Sequence, residues 1–439
     1  MDKYKNLKRA RHHLVFLSAL VFGSVFIYFL NQLDLRKQGL GMITIENSIA
    51  PDLNISTHTL SDEEQNVAKT AWAYFENNYN EHTGLVNSVD NYPSSTLWDT
   101  GNYMMALIAA SHLTIIDQET YTTRMKKLLH TLSTIELYKG LLPNKVYNAQ
   151  TLAMTNYENK VSKKGIGWSA IDIGRILIPL AYLQFNQSEF SPHVHAILKR
   201  WNLKEMTKQG VLFGAVVEKG KSSLLQEGRL GYEQYTSKMF ASFGVDVTNA
   251  LRYDKYLEFV DLESIQIPYD KRDKEHSNAN NYVLMEPYML DGLEFGWDYF
   301  SKEFSYRLYK VQEQRYKNTG ILTAITEDHI DQAPYFIYNT IFVNKQEWVA
   351  IDETGKVYND MKLLSTKASF AMDALYHTAY TAKLIEALKP LSTPRGWQTG
   401  IYEKSGKINT AVTCNTNAII LESMMYKETG PLVKMIGSH

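Results

Sequence analysis

Residues 167–175 read GWSAIDIGR, and the stretch from Trp168 to Leu183 that contains them reads as a helix. Ser169 and Asp172 stand at the spacing by which a side-chain oxygen caps a helix's first turn. Arg175 follows Asp172 by one turn on the same face and is placed to hold that carboxylate ionised. The mouth of this helix thus carries an aromatic ring, a carboxylate and a guanidinium.

Five further phrases place comparable residues at the start of an apolar helix. They are TLWD (96–99), GYEQ (231–234), EPYMLD (286–291), STKASF (365–370) and NTN (415–417). The six recur roughly every 50 to 80 residues, the length of a helical hairpin with its loops. Other helices fall between them: one after the Ser61–Glu64 capping box, one over 118–134 with Met125, Leu128, Leu129 and Leu132 as its stripe, and one near 191–201. The pattern 231–251 also reads as helix with a break at Gly244, and 287–317 as one long helix or two joined near Gly296. Two more helices close the chain, over about 366–389 and 416–427. Strand-like runs at Tyr335–Tyr338 and Ile341–Val343 predict one small hairpin, and 214–229 an exposed loop or hairpin. The expectation is an all-α chain, an (α/α)6 toroid of about twelve helices with a small β hairpin, its six mouths forming one rim. An elongated superhelix is the competing layout, but the units share no consensus.

With 439 residues, 44% of them hydrophobic, the chain can bury a large core. A formal net charge of −1 gives no basic face for nucleic acid. The 29 tyrosines and 7 tryptophans suit packing between helices, and they also suit sugar rings, which need flat apolar faces with a polar tip. The single cysteine, Cys414, excludes an intrachain disulfide and reads as structural.

Leu14 to Leu30 is an uncharged run of 17 residues, about 25 Å as a helix. Lys3, Lys5, Lys8, Arg9 and Arg11 precede it, against Arg36 and Lys37 after it. By the positive-inside rule this predicts a cytoplasmic 1–13, a transmembrane anchor over 14–31, a linker over 32–60 and a periplasmic globular part over 61–432. A cleaved signal peptide is the alternative; no clean small-residue cleavage site follows. The expected location is the inner membrane, single-pass, with the membrane itself as one partner.

Three groups of carboxylates carry the expected chemistry. Asp99 follows Trp98 and Asp172 follows Trp168, each also at capping spacing. Glu233 has no Ser or Thr cap before it; flanked by Tyr232 and Tyr235, it is the expected general acid, with a pKa raised by an apolar cleft. Glu327 and Asp328 stand beside His329 in the strand-bearing segment and form a reserve pair. Scattered histidines give no metal-ligand spacing, and neither a cofactor nor a metal is expected. Glycine-flanked Tyr402 and Glu403, with Gln234 and Asn417, complete the expected sugar contacts.

Taken together, Trp98-Asp99 with Gly101, Gly167-Trp168 with Asp172 to Arg175, Gly231 to Tyr235, Ile325 to Ile330 with Pro334 to Phe336, and Gly400 to Glu403 through Asn417 resemble a bacterial envelope family, domain of unknown function 3131. That family is similar to glucoamylase-like proteins. The resemblance covers most of residues 60–432 and implies an (α/α)6 fold and a place in envelope or exopolysaccharide metabolism. The reading that follows is a membrane-anchored glycoside hydrolase or transglycosylase acting on a glucan or exopolysaccharide. Glu233 would be its acid and Asp99 or Asp172 its base; Trp98, Trp168, Tyr232 and Tyr402 would stack on sugar, with Arg175 orienting a carboxylate. Two alternatives stand beside it: a non-catalytic polysaccharide-binding or scaffold protein working with envelope synthesis or export proteins, and a polysaccharide lyase.

Overall fold

The computed structural model describes residues 45, 48–52, 57–218, 220–277 and 279–432. The chain divides into two units, 1–47 and 48–439, and the second holds the elements below. Helix α1 (Asp62–Asn78) starts from a capping box in which Ser61 accepts from the Glu64 N–H and the Glu64 carboxylate accepts from the Ser61 N–H at 3.0 Å. There follow α2 (Leu97–His112), α3 (Gln118–Thr134), α4 (Ala170–Asn186), α5 (Ser191–Arg200), α6 (Tyr232–Ser237), α7 (Glu286–Phe295), α8 (Tyr299–Thr319), α9 (Thr366–Tyr376), α10 (Ala379–Leu388) and α11 (Cys414–Thr429).

Six of these helices pack in a closed circle: α2 on α4, α4 on α6, α6 on α7, α7 on α9, α9 on α11, and α11 back on α2. The rest lie against them, α1 on α11, α3 and α5 on α2 and α4, α8 on α7, α10 on α9. The sequence shows why. From Leu97 to Ala110, every residue of α2 but Trp98 is buried, whereas α3 buries only one stripe (Tyr121, Met125, Leu128, Leu129, Thr131 and Leu132). A helix apolar all round must sit inside; one with a single apolar stripe covers it. Small residues set the closest approaches. A Cβ on Gly101 would come within 2.8 Å of Arg175 Cγ, and one on Gly174 within 2.8 Å of the Thr236 carbonyl oxygen.

Strands fill the connections. β1 (Ser94–Thr96) pairs with β2 (Val146–Asn148), placing Thr96 opposite Val146 just before α2. β3 (Val211–Glu218) and β4 (Lys221–Gln226) form a hairpin, as do β5 (Leu257–Leu262) and β6 (Ile265–Asp270). β7 (Glu327–His329), β8 (Phe336–Val343) and β9 (Gln346–Ile351) make an antiparallel sheet with Glu327 opposite Tyr338. β10 (Leu363–Ser365), β11 (Gly396–Tyr402) and β12 (Ile408–Val412) make another.

This content corrects the expected fold class. The chain is mixed, 44% helix and 22% strand, not all-α with one hairpin. Long connections must pair their backbone groups, and they do so with each other as short ladders. The largest local difference lies in 231–251, where helix ends at Ser237 and turns follow; Gly296, with φ 67°, does divide α7 from α8. The membrane expectation is corrected as well. Among the described residues no helix is long and apolar enough to cross a membrane. The longest, α8, carries Lys302, Glu303, Arg307, Lys310, Glu313, Arg315 and Lys317 in its 21 residues, charges a bilayer core would not accept. The run Leu14–Leu30, on which the anchor and the inner-membrane location rested, lies outside the described residues.

Candidate functional site

The circle of helices is tied at its centre by Arg175. Its side chain is fully buried, and the guanidinium donates to Asn102 Oδ1 (2.9 Å), the Tyr235 hydroxyl (2.8 Å), Glu294 and Glu422 Oε1 (2.6 Å). One residue of α4 thereby joins α2, α6, α7 and α11. Arg175 does not serve Asp172, the role read for it in sequence; its donors point to the neighbouring helices.

Trp98, Asp99, Asp172, Tyr232 and Glu233 stand in the first turns of these helices, at the mouth of the circle, and Tyr232 joins them to Glu327 on β7. Asp99 is buried, with Oδ2 accepting from the Thr96 hydroxyl (2.7 Å) and its N–H capped by the same oxygen. Burial raises its carboxyl, and hydroxyls of Ser88 and Thr96 oppose that. It is a helix-start carboxylate with its acceptors already used. Asp172 is different. Ser169 caps its N–H (3.0 Å), the residue as a whole is half-buried, and burial of its carboxyl plus the charge of Glu227 push it up to about 7. Glu227 sits against it, Oε2 accepting the Ala170 N–H of α4 at 2.5 Å. That contact and the positive charge of Lys145 favour its ionised form, against a burial that raises it.

Glu233 gains in the structure the partner that the sequence did not reveal. It is 3% exposed, and Arg272 Nη2 donates to it at 2.9 Å. Arg272 is shared with Asp270, which it meets at 2.6 Å, so burial still raises Glu233 to about 7. Beside it, the Tyr232 hydroxyl donates to Glu327 on β7, and its ring meets Trp98 edge-on at 5.7 Å. Burial raises Glu327, opposed by the nearby Lys367 ammonium. Asp328 is 2% exposed, raised well above the ordinary range by burial, and neither carboxylate oxygen has a hydrogen-bond partner among the described residues. His329, pushed down to about 4 by burial, is neutral and packs on Phe336.

The remaining expected contacts fall elsewhere. Trp168 is buried, its indole N–H donating to the Phe213 carbonyl (3.2 Å). Gln234 ties the Gly231 N–H and the Arg252 carbonyl at 2.8 Å each. Asn417 pins α11 to β11 through the N–H and carbonyl of Trp397. Tyr402 is in a small core with Ile330, Ile337 and Leu363, its hydroxyl on Asp331 (2.6 Å). Glu403 pairs with both terminal nitrogens of Arg315 on α8, at 2.7 and 3.0 Å.

Three tyrosines at the mouth escaped the sequence reading. Tyr157 is 64% exposed, and the charges of Asp172, Glu227 and Glu353 act on its hydroxyl. Tyr338 feels Glu327, Tyr157 and Glu353, and it stacks on Tyr282 with centroids 4.0 Å apart. Tyr157 and Tyr338 therefore bridge the Asp172–Glu227 wall and the Glu327 wall. The alternation of β8 could have marked Tyr338; a lone Tyr157 in a polar loop gives no signal. Among the described residues the one group of three or more His, Cys, Asp or Glu side chains whose ligand atoms all lie within 4.8 Å of one another is Asp273, Glu275 and His276, the last two exposed and away from the mouth. A cavity of about 430 Å³ near them is lined by Tyr256, Tyr269, Lys271 and Arg272, so it backs onto Glu233 and not onto Asp172.

The fold is similar to that of several proteins of known structure. A candidate glucoamylase from Bacteroides caccae is 11% identical, with a TM-score of 0.65 over 86% of this chain and 96% of that one. An endo-β-1,2-glucanase from Chitinophaga pinensis, in complex with sophorotriose and glucose, is 11% identical, with a TM-score of 0.63 over 87% and 96%. One from Talaromyces funiculosus, in complex with sophorose, is 11% identical, with a TM-score of 0.58 over 86% and 85%. At such identity the likeness is one of fold. No curated protein matches the chain in sequence. Residues 66–430 match the family described as protein of unknown function (DUF3131), and the chain belongs to that family.

Proposed function

We propose that the protein is a glycoside hydrolase acting on a glucan, with Asp172 as the general acid. The observation that carries this is the state of Asp172: half-buried, raised to about 7, and next to a fixed carboxylate and an accessible tyrosine. A proton donor to a glycosidic oxygen must be protonated near neutrality and must reach its substrate. Glu233 meets the first requirement, but it is closed off and held by Arg272, so it takes the role of positioning that wall. Asp99, buried and held by the Thr96 hydroxyl, suits the role less well. Glu327, held by the Tyr232 hydroxyl across the tyrosine-lined floor, is the carboxylate assigned to activate water. Trp98, Tyr157, Tyr232 and Tyr338 supply the ring faces. Because two of the fold's relatives act on β-1,2-glucan, that polymer heads the list of substrates.

The test is to incubate the full chain with β-1,2-glucan and a panel of α- and β-glucans and exopolysaccharides and to read reducing ends. One glucan should release them, and Asp172→Asn should lower the rate about 100-fold or more with the fold intact. Undiminished activity in that variant sinks the assignment of the acid. Polymer binding with no release favours the non-catalytic reading instead, for which the capped Asp99 and ion-paired Glu233 speak; envelope export proteins would then be the partners to seek. Product absorbance of an unsaturated sugar would indicate a lyase.

A further inference from the structure

On the side of the mouth away from Asp172, α7, α9 and α11 present a cluster of buried polar groups. Glu286 opens α7, 0% exposed, and accepts from Lys367 and from Asn415 Nδ2 (2.9 Å). Lys367 is 1% exposed, and its ammonium, able to donate three hydrogen bonds, has Glu286 as its hydrogen-bonded partner. Around it stand acceptors with no well-formed hydrogen bond among the described residues: both oxygens of Asp328, which the Ser365 hydroxyl faces, and Asn415 Oδ1. Native interiors leave few such groups, because each gives up its hydration with nothing to replace it.

Two details argue that this cluster was not built for stability. Ser365 occupies the N-cap of α9 and yet caps nothing, while Ser61, Thr96, Asp117, Ser169, Asp298, Thr378 and Thr413 all accept from their helices. Lys367 places a positive charge in the first turn of α9, where the helix dipole disfavours it. Residues that break local rules at a mouth are placed for a ligand.

We infer that Glu286, Asp328, Ser365, Lys367 and Asn415 form a binding subsite for the hydroxyl groups of a neutral sugar, and that it excludes uronates. This rests on the glycan-acting reading of the same mouth and names its substrate class. A sugar hydroxyl both donates and accepts, so it satisfies the spare ammonium donors and the unpartnered acceptors together. A divalent cation is the wrong ligand, since the carboxylates here do not converge within 4.8 Å of one another. An anionic sugar is wrong too. It would add a carboxylate beside Glu286, Glu327 and Asp328, where burial already raises the latter two and the Lys367 ammonium is engaged by Glu286.

The test is calorimetric binding of pentasaccharides to the full chain carrying Asp172→Asn, with hydrolysis read separately in the parent. Gluco-oligosaccharides of β-1,2, β-1,3 and α-1,4 linkage are compared with oligogalacturonate of the same length. At least one neutral oligomer should bind, and the uronate at least about tenfold more weakly. Ser365→Ala should weaken the neutral oligomer about tenfold, the loss of one hydrogen bond to a charge-bearing site, without lowering the melting point. Asn415→Ala, which also takes the Nδ2 donor from Glu286, should weaken it as much at a temperature where the variant is folded. Equal binding of the uronate, unchanged affinity in both variants, or no binding by any neutral oligomer overturns the inference. If binding behaves as stated but no polymer is cleaved, the subsite stands and the hydrolase reading falls.

Discussion

Two buried cations show how differently one fold treats a charge. Arg175, at the centre of the helical circle, directs its guanidinium to acceptors on four other helices. Lys367, at the mouth, is as deeply buried, yet it has one hydrogen-bonded partner and sits among acceptors that have none. Burial alone therefore does not separate structural from functional charge. What separates them is how far the cation's own donors are engaged: the guanidinium makes four hydrogen bonds, the ammonium one. A node whose cation is saturated in this sense holds helices together; an unsaturated one has capacity left for something that is not protein.

The largest effect should follow from breaking the saturated node. Arg175→Met leaves Glu294 and Glu422 facing each other in the core without their cation, and removing one partner of such a network costs about 3–5 kcal/mol. Urea unfolding should show this loss. Arg175→Lys should recover little of it, since an ammonium cannot reproduce a planar fork that reaches four helices. A methionine variant as stable as the parent would dissolve the contrast between the two cations.

At the mouth the expected loss is catalytic. Asp172→Asn should lower glucan hydrolysis about 100-fold or more while the melting point holds or rises. The pH dependence has a definite sign. The parent's kcat/KM should fall as pH rises through about 7, where the acid loses its proton. The folded pKa of Asp172 lies above its ordinary 3.8, so the native state binds the extra proton and stability declines as pH rises from about 4 to about 7. The asparagine variant lacks this group, and its stability advantage should widen over the same interval. Melting curves at pH 4, 5, 6 and 7 read that directly.

How much of this contrast was visible in the chain follows from range. The helix mouths were legible because caps are local: Thr96 with Asp99 and Ser169 with Asp172 lie three residues apart. The partners of Arg175 lie 60 to 247 residues away, so the sequence attached it to Asp172, the nearest carboxylate. Glu233 seemed to lack a structural reason for the same cause; Arg272 is 39 residues distant. The strands beyond 214–229 and 335–343 were missed because they are short, two to seven residues, too few for periodicity to declare itself against the helical background. Trp168 and Tyr402 were read as sugar platforms because an aromatic beside glycine looks the same in a core as in a cleft, and only burial decides.

Glu403 offers an intermediate case. It was read as a sugar contact, and it lies in a bidentate pair with Arg315, joined by Lys362 at 3.2 Å. Glu403→Gln keeps one acceptor for the fork and should cost about 1–3 kcal/mol of stability. Oligosaccharide affinity and hydrolysis at a temperature where the variant is folded should not change. A drop in affinity there would extend the mouth to β11 and enlarge the unsaturated region.

The smallest effect on stability is the most discriminating. Ser169→Ala removes a hydroxyl that caps Asp172 and should cost about 1 kcal/mol. Ser365→Ala removes a hydroxyl from the same position of another helix, but that hydroxyl accepts from no helix N–H. Its loss exposes no orphan and deletes a buried polar atom that already lacks a partner, so the melting point should stay level or rise slightly. The two serines are chemically identical and both stand at helix starts. If Ser365→Ala melted as low as Ser169→Ala, its hydroxyl would be an ordinary cap and Lys367 would lose one of its unsatisfied neighbours. A level melting point, alongside weakened sugar binding, separates a residue that holds the mouth together from one that faces what the mouth receives.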